Sequence, residues 1–121
     1  MTMEKHQIDQ LAAAYITEYL THERADDGAW DAIESLIGTD AQTAWAVIER
    51  VLELPFPDIY LAWVGAGPIE ELLAHYPMMF AERAIARARV DPRFREALQF
   101  ARLESDIQRL FEHELHLKDE K

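Results

Sequence analysis

The chain of 121 residues contains no cysteine, which excludes disulfide bonds, thiolate metal sites and cysteine nucleophiles. With only four glycines and five prolines, little of it can form long irregular loops. No apolar run approaches the roughly 20 residues of a membrane-spanning helix. The N-terminal segment also lacks the charged-then-apolar layout of a secretory signal. We therefore expect a folded cytoplasmic protein that does not bind membranes.

Basic residues are scarce, because 12 lysines and arginines stand against 23 acids, a net charge of −11. Residues 1–82 hold 15 acids and three bases, a balance of −12, whereas residues 83–121 hold eight acids and nine bases, a balance of +1. An acidic field of this size repels phosphate groups, so we expect no nucleic-acid partner. The charge keeps a small protein soluble, and it would also attract a basic protein partner.

Half of the residues are apolar and 29% are charged, a balance typical of a folded globule. The length suits a single helical domain over 1–121. Apolar residues recur at three- and four-residue steps, for example Leu11, Tyr15 and Tyr19 in a first amphipathic helix over about 4–22. No window alternates apolar and polar residues as a strand would. The sequence therefore predicts an all-α fold of about seven helices.

Glycines, prolines and capping residues predict where these helices begin and end. Asp26 or Asp27 is expected to cap the second helix, and Gly38 to close it in a left-handed conformation. Thr39 or Asp40 is then expected to cap a third helix. The predicted breaks are Gly38, Pro55–Pro57, Gly65–Pro68, Pro77 and Pro92.

The C-terminal part is expected to form one long helix over about 92–116. On that helix Arg95, Arg102 and Arg109 repeat every seven residues and should lie on one side. Such a stripe would be solvated, would pair with acidic helices, or would bind an acidic ligand.

A five-residue pattern occurs twice, as 33–37 and, 36 residues later, as 69–73. Each copy is followed by a break and a second helix, as in stacked helical hairpins, where one hairpin alone cannot bury its apolar face. The fragment 91–98 also resembles the start of the second helix pair in HEAT-type repeats. Two architectures therefore remain open, HEAT-like stacked hairpins and a compact helical bundle.

The run 66–73 reads Ala-Gly-Pro-Ile-Glu-Glu-Leu-Leu. It resembles the Ala-Gly-Pro-apolar-Glu-acid-Leu-Leu run of a family of small bacterial helical proteins without assigned function. The resemblance covers about the central third of the chain, and Ile69 and Glu71 differ from the leucine and aspartate that are more usual there. It implies a helical fold and a bacterial source. It transfers no catalytic residue.

The turn at Gly65 and Gly67 lacks the Gly-Lys-Ser/Thr that completes a phosphate loop, and Glu70 and Glu71 would repel a phosphate. A tight helix-to-helix turn is one interpretation, since glycine permits positive φ and the close approach of two helices. A binding loop is the other, because acids at a helix start could meet a basic group and His75 follows at the helix end.

Catalytic chemistry finds little support in the sequence. His113 and His116 share a helix face but lack the metalloprotease spacing, and a helix tail is the simpler interpretation. The two serines, Ser35 and Ser105, lie within helical patterns and not on a nucleophile turn. We expect no catalytic residue, no metal and no cofactor.

Most aromatic residues, Trp30 among them, fit a helical core. Met78, Met79 and Phe80 place three large apolar side chains on adjacent positions of one helix, so they cannot all face the same core. At least one should be exposed or covered by a partner, which makes this run an interface candidate.

Our leading hypothesis is a helical protein-interaction module whose acidic surface around residues 26–71 binds a basic protein, with an immunity or antitoxin-like role as its narrower form. The first alternative is a ligand-binding or enzymatic subunit that uses the turn 65–71 and His75. The second is a homodimer or larger homo-oligomer formed through Met78–Phe80.

Overall fold

A computed structural model describes residues 3–21 and 28–115, which contain helices and connecting segments but no strand. Within these ranges there are seven continuous helical stretches. The all-α prediction is therefore confirmed. The chain divides into two compact units, Met1–Tyr60 and Leu61–Lys121. The single domain over 1–121 stays a prediction.

The first unit has three helices, α1 (Lys5–Ala14), α2 (Gly28–Thr39) and α3 (Ala41–Glu53), and α1 continues directly into a π-helical segment, Tyr15–Leu20. Both α1 and α2 pack on α3, which is apolar over a wide arc and supplies much of the core. A short 3₁₀ turn, Asp58–Tyr60, follows the two prolines that end α3.

Side-chain caps fix the starts of α1 and α3. The Glu4 backbone N–H donates to Gln7 Oε1 over 2.8 Å, as part of a capping box. At α3, the Asp40 carboxylate accepts from the Thr43 hydroxyl (2.7 Å) and the Thr43 backbone N–H (3.2 Å). Asp40 is one of the two predicted caps, so this prediction is confirmed.

The second unit contains α4 (Leu61–Val64), a π-helical segment (Gly65–Ile69), α5 (Glu70–His75), α6 (Pro77–Val90), α7 (Pro92–Leu98) and α8 (Ser105–Leu115). Its core is built around three fully buried phenylalanines from α6, α7 and α8. They are Phe80, Phe94 and Phe111. None of the helices in the described ranges combines the length and apolar character that crossing a membrane requires.

Gly38 does not end α2, so that prediction is wrong. The helix runs on to Thr39, and Gly38 does not have a left-handed φ. The next N–H, that of Asp40, still donates to the Leu36 carbonyl over 2.6 Å. A helical glycine costs only about 1 kcal/mol relative to alanine, so it does not by itself stop a helix. Asp26 and Asp27 lie outside the described residues.

The predicted break at Gly65–Pro68 is also wrong, because α4 passes through the π-helical segment into α5 without interruption. Proline cannot donate a backbone hydrogen bond. Here the Glu70 N–H donates to the Gly65 and Gly67 carbonyls, so the helix continues past Pro68. Gly65 does not have a positive φ.

The predicted long C-terminal helix is also wrong. Here the sequence predicted a continuous helix, whereas the structure has a break between α7 and α8. The N–H groups of Phe100 and Ala101 donate three residues back, over 3.0 and 3.1 Å, and residues 101–104 are not helical. Arg95 therefore lies on α7, Arg102 between the helices and Arg109 on α8. They do not form one stripe.

The two copies of the repeated pattern occupy comparable places. Residues 33–37 lie in α2 and are followed by α3, while residues 69–73 enter α5 and are followed by α6. The HEAT-like architecture stays a prediction.

Candidate protein-binding site

Three aromatic rings meet where the π-helical segment of the first unit lies against the start of α2. The Tyr15 and Tyr19 centroids are 5.1 Å apart with the rings inclined by 20°. The Tyr19 and Trp30 centroids are 5.8 Å apart at 26°, and those of Tyr15 and Trp30 are 6.4 Å apart at 44°. Tyr15 is buried, whereas Tyr19 and Trp30 are half-buried. The cluster therefore joins the core to the surface.

The two tyrosines lie four residues apart in the π-helical segment that ends the first helical stretch. The segment Tyr15–Leu20 ends where the Thr21 N–H and hydroxyl both donate to the Ile16 carbonyl, each over 3.0 Å. The four-residue spacing already predicted that Tyr15 and Tyr19 share a helix face, and Trp30 was expected in the core. The surface part of the cluster was not predicted, because periodicity does not show how far a side chain is covered by other elements.

Exposed carboxylates adjoin the cluster. Glu18 precedes Tyr19 and Asp31 follows Trp30, and Glu34 lies one turn further along α2. All three are exposed, and none forms a hydrogen bond or ion pair with another described residue.

Across residues 1–60, 12 acids face three bases, a balance of −9, whereas residues 61–121 hold 11 acids and nine bases, a balance of −2. Arg50, a base of the first unit, is already engaged, because it contacts Asp9 at 2.9 Å and Glu53 at 3.2 Å. The negative charge of the first unit is therefore largely uncompensated from within.

Exposed carboxylates beside aromatic rings suit a cationic group. A guanidinium or ammonium can lie over a Trp or Tyr face and donate to a carboxylate at the same time. The cluster thus matches a lysine or arginine side chain on a partner.

One acid of the first unit, Asp40, has a structural role. The Thr43 hydroxyl, and to a lesser extent the Thr43 backbone N–H, donate to Asp40 and hold the pKa of this carboxyl below its ordinary value. Asp40 therefore caps α3 as an anion and is not part of the candidate site.

Two residues of the site predicted around the turn 65–71 make contacts within the fold. Gly65 is buried against α7, and a Cβ built there would lie 1.8 Å from the Ala97 carbonyl oxygen. The Glu70 carboxylate accepts the Arg102 backbone N–H over 2.7 Å. The close approach of two helices that was expected at Gly65 is therefore confirmed.

Glu71 and His75 come together, with His75 Nδ1 at 2.8 Å from the Glu71 carbonyl oxygen and 3.8 Å from its Oε1. Gly67 is half-buried within the π-helical segment. The ligand-binding role of this turn stays a prediction.

The run at 78–80 divides between surface and core. Met78 and Met79 are 88% and 52% exposed, whereas Phe80 is fully buried beside Tyr76, with the Arg83 guanidinium 5.2 Å from its ring centroid. At least one exposed member was expected, and this is confirmed. Phe80 belongs to the core, so as an interface residue it was predicted wrongly.

His113 is exposed on α8, and His116 lies outside the described residues. Among residues 3–21 and 28–115, no three histidine or acidic side chains converge as metal ligands would.

The sequence profile of a family of unknown function, DUF6869, matches residues 18–101, which is more than half of the chain. The chain belongs to the DUF6869 family. The matched DUF6869 region includes Tyr19, Trp30 and the run 66–73. No curated protein and no solved structure matches the chain. Membership in DUF6869 assigns no activity.

Proposed function

We propose that this DUF6869 protein is a helical interaction module that binds a basic protein partner through its first unit. The observation that carries the proposal is the uncompensated charge of that unit, −9 over residues 1–60. Three of its acids, Glu18, Asp31 and Glu34, are exposed and unpaired among the described residues.

The charge and the aromatic cluster would act at different distances. The acidic field would raise the rate of encounter with a basic protein, most strongly at low salt. On contact, a partner lysine or arginine would lie on the half-buried faces of Tyr19 and Trp30, next to Asp31. A desolvated cation–π contact contributes on the order of 2 kcal/mol.

The second unit is a poorer candidate for charge-driven binding. Three of its arginines already have carboxylate partners: Arg87 contacts Asp91 at 3.0 Å, Arg89 contacts Glu114 at 2.6 Å and Arg109 contacts Asp106 at 2.7 Å. An acidic partner would have to compete with these pairs.

A narrower form of the proposal is an immunity or antitoxin-like role, in which the basic partner is a toxin. Small size and acidity support it by analogy alone. Its test is a neighbouring gene for a basic protein whose toxicity disappears on co-expression. Undiminished toxicity of that protein would exclude the narrower role and leave basic-partner binding standing.

The proposal is tested with an oligolysine peptide as probe and calorimetry at low and high salt. The test variant is Asp31→Arg/Glu34→Arg. The control is Glu82→Arg/Glu96→Arg, which makes the same charge change at two acids of the second unit that are also exposed and unpaired among the described residues.

We expect the first variant to weaken binding by about tenfold or more and the control to weaken it much less. Binding should also fall steeply with salt. Equal losses in the two variants would show that only the total charge matters, and the proposed site would be wrong.

A further inference from the structure

A groove lies between α1 and α2 in the first unit. Tyr15 and Tyr19, late in the first helical stretch, contact Trp30 at the start of α2, whereas residues 3–11 line the groove together with residues 32–36. The two helices therefore run antiparallel. Both pack mainly on α3, and between them they leave a cleft of about 520 Å³.

The groove has apolar walls and a polar rim. Met3, Leu11 and Leu36 contribute half-buried apolar side chains, and Ala32 is exposed. Gln10 and Ser35 also line it, and their side chains form no hydrogen bonds within the described ranges. Such a surface can take apolar side chains and still donate and accept hydrogen bonds at its edge.

The dimensions suit a helix. Residues 5–11 of α1 span about 9 Å at a rise of 1.5 Å per residue, and Met3 extends the groove beyond the helix start, so the lining is about two helical turns long. An amphipathic helix bound in a groove places anchors at i, i+3 or i+4, and i+7, a repeat of the same length.

The charge beside the groove determines which helix fits. Asp31 lies one helical turn before Ser35 on α2, so it flanks the groove, and it is exposed and unpaired among the described residues. Basic side chains next to the apolar stripe of a bound helix would reach this carboxylate. A second copy of this chain is a poor occupant, because each copy carries a net charge of −11 and the two repel.

We infer that the groove between α1 and α2 binds an amphipathic helix with lysine or arginine beside its apolar stripe. The inference rests on the proposed function and adds the docking surface and the shape of the partner segment. The apolar stripe lies over Leu11 and Leu36, and the basic residues lie on the side of Asp31.

The probe is a labelled leucine–lysine peptide of about 18 residues, five helical turns, with its leucines on one face. A scrambled peptide of the same composition keeps the charge and lacks the apolar stripe. The test variant is Ala32→Trp, which fills the groove without changing charge. Its control is Ala13→Trp, also at an exposed alanine, on α1 and outside the groove lining.

We expect the amphipathic peptide to bind about tenfold or more tightly than the scrambled one. Ala32→Trp should remove this advantage, and Ala13→Trp should keep it. Circular dichroism and the unfolding midpoint of both variants verify that the fold is intact.

Other results would overturn the inference. If both peptides bind equally and only Asp31→Arg/Glu34→Arg weakens them, the proposed function stands and the groove is not its site. If neither binds at low salt, the inference and the proposed function both fail. If light scattering shows a dimer that Ala32→Trp dissociates, the occupant is a second copy and the inference is wrong.

Discussion

Each unit contains one α-helix that continues into a π-helical segment, and the two segments make different kinds of contact. Tyr15–Leu20 in the first unit carries large side chains and stacks two tyrosines near Trp30. Gly65–Ile69 in the second unit is made mostly of small residues and brings its backbone against α7. The same irregularity thus presents aromatic rings in one unit and allows close helix packing in the other.

Charge separates the units in the same way. The first unit carries a net charge of −9 over residues 1–60, whereas the second carries −2 over residues 61–121 and pairs Arg87 and Arg89 with carboxylates. The excess negative charge therefore lies mainly in the first unit, while the charges of the second are nearly balanced.

The largest effect should come from the two glycines described above. At Gly65 a Cβ would lie 1.8 Å from the Ala97 carbonyl oxygen, so Gly65→Ala must separate two backbones. We expect it to lower the free energy of unfolding by about 3 kcal/mol. At Gly38 a Cβ meets nothing within 4 Å, so Gly38→Ala should raise it by about 0.5–1 kcal/mol. Urea unfolding measures both. Equal effects at the two positions would contradict the close packing of the second π-helical segment.

The aromatic cluster should come next. Trp30→Ala removes the stacking on Tyr15 and Tyr19, and we expect a loss of about 2 kcal/mol in unfolding free energy. Trp30→Phe should keep most of the stacking and therefore most of the unfolding free energy. Met78→Ala, at a side chain that is 88% exposed in the second unit, should change stability by less than about 0.5 kcal/mol. A similar loss at Met78 would mean that this methionine is covered, for example by a second copy.

The lowered pKa of Asp40 predicts that the stability of the first unit depends on pH in the acid range. Because folding lowers the pKa of Asp40 below its ordinary value of 3.8, its stabilising contribution is fully present above that value. The contribution is lost as the pH falls through the lower pKa of the folded state. Asp40→Asn should flatten the dependence of the unfolding free energy on pH in this range, and Thr43→Val should do so partly. An unchanged profile in Asp40→Asn would rule out the capping anion as its source.

The smallest effect should be the relief of repulsion in the first unit. Glu34→Lys places a cation three residues after Asp31 on α2, and we expect a gain of about 0.2–0.5 kcal/mol that disappears at high salt. Glu96→Lys, the matched change in the second unit, should give less because charge there is nearly balanced. The same gain in both variants would show that the uneven charge has no local effect on stability.

Periodicity and capping chemistry predicted much of the fold. The absence of strands, the start of α3 at Asp40 and its end at Glu53 followed from residue type and spacing. Local signals were insufficient where tertiary contacts decide the backbone. The glycine and proline of the run 65–68 indicated a stop, but packing against α7 and the bonds of the Glu70 N–H keep the helix continuous.

The candidate site was predictable only in its charge. The acidic character of the first unit is a property of composition, so the sequence revealed it directly. The stacking of Tyr19 on Trp30 depends on how the first helical stretch lies against the start of α2. The groove between α1 and α2 depends on how both helices lie on α3. Neither arrangement has a signature in the residue pattern alone.

The contacts of Gly65 with Ala97 and of Glu70 with Arg102 also have a kinetic consequence. Both pairs are separated by the same 32 residues, so the two segments lie side by side in the same direction with α6 as the connection between them. Closing a loop of this length costs about 3 kcal/mol in chain entropy before either contact forms. Folding of the second unit therefore has to close this loop, and shortening the connection between the two segments should change its folding rate.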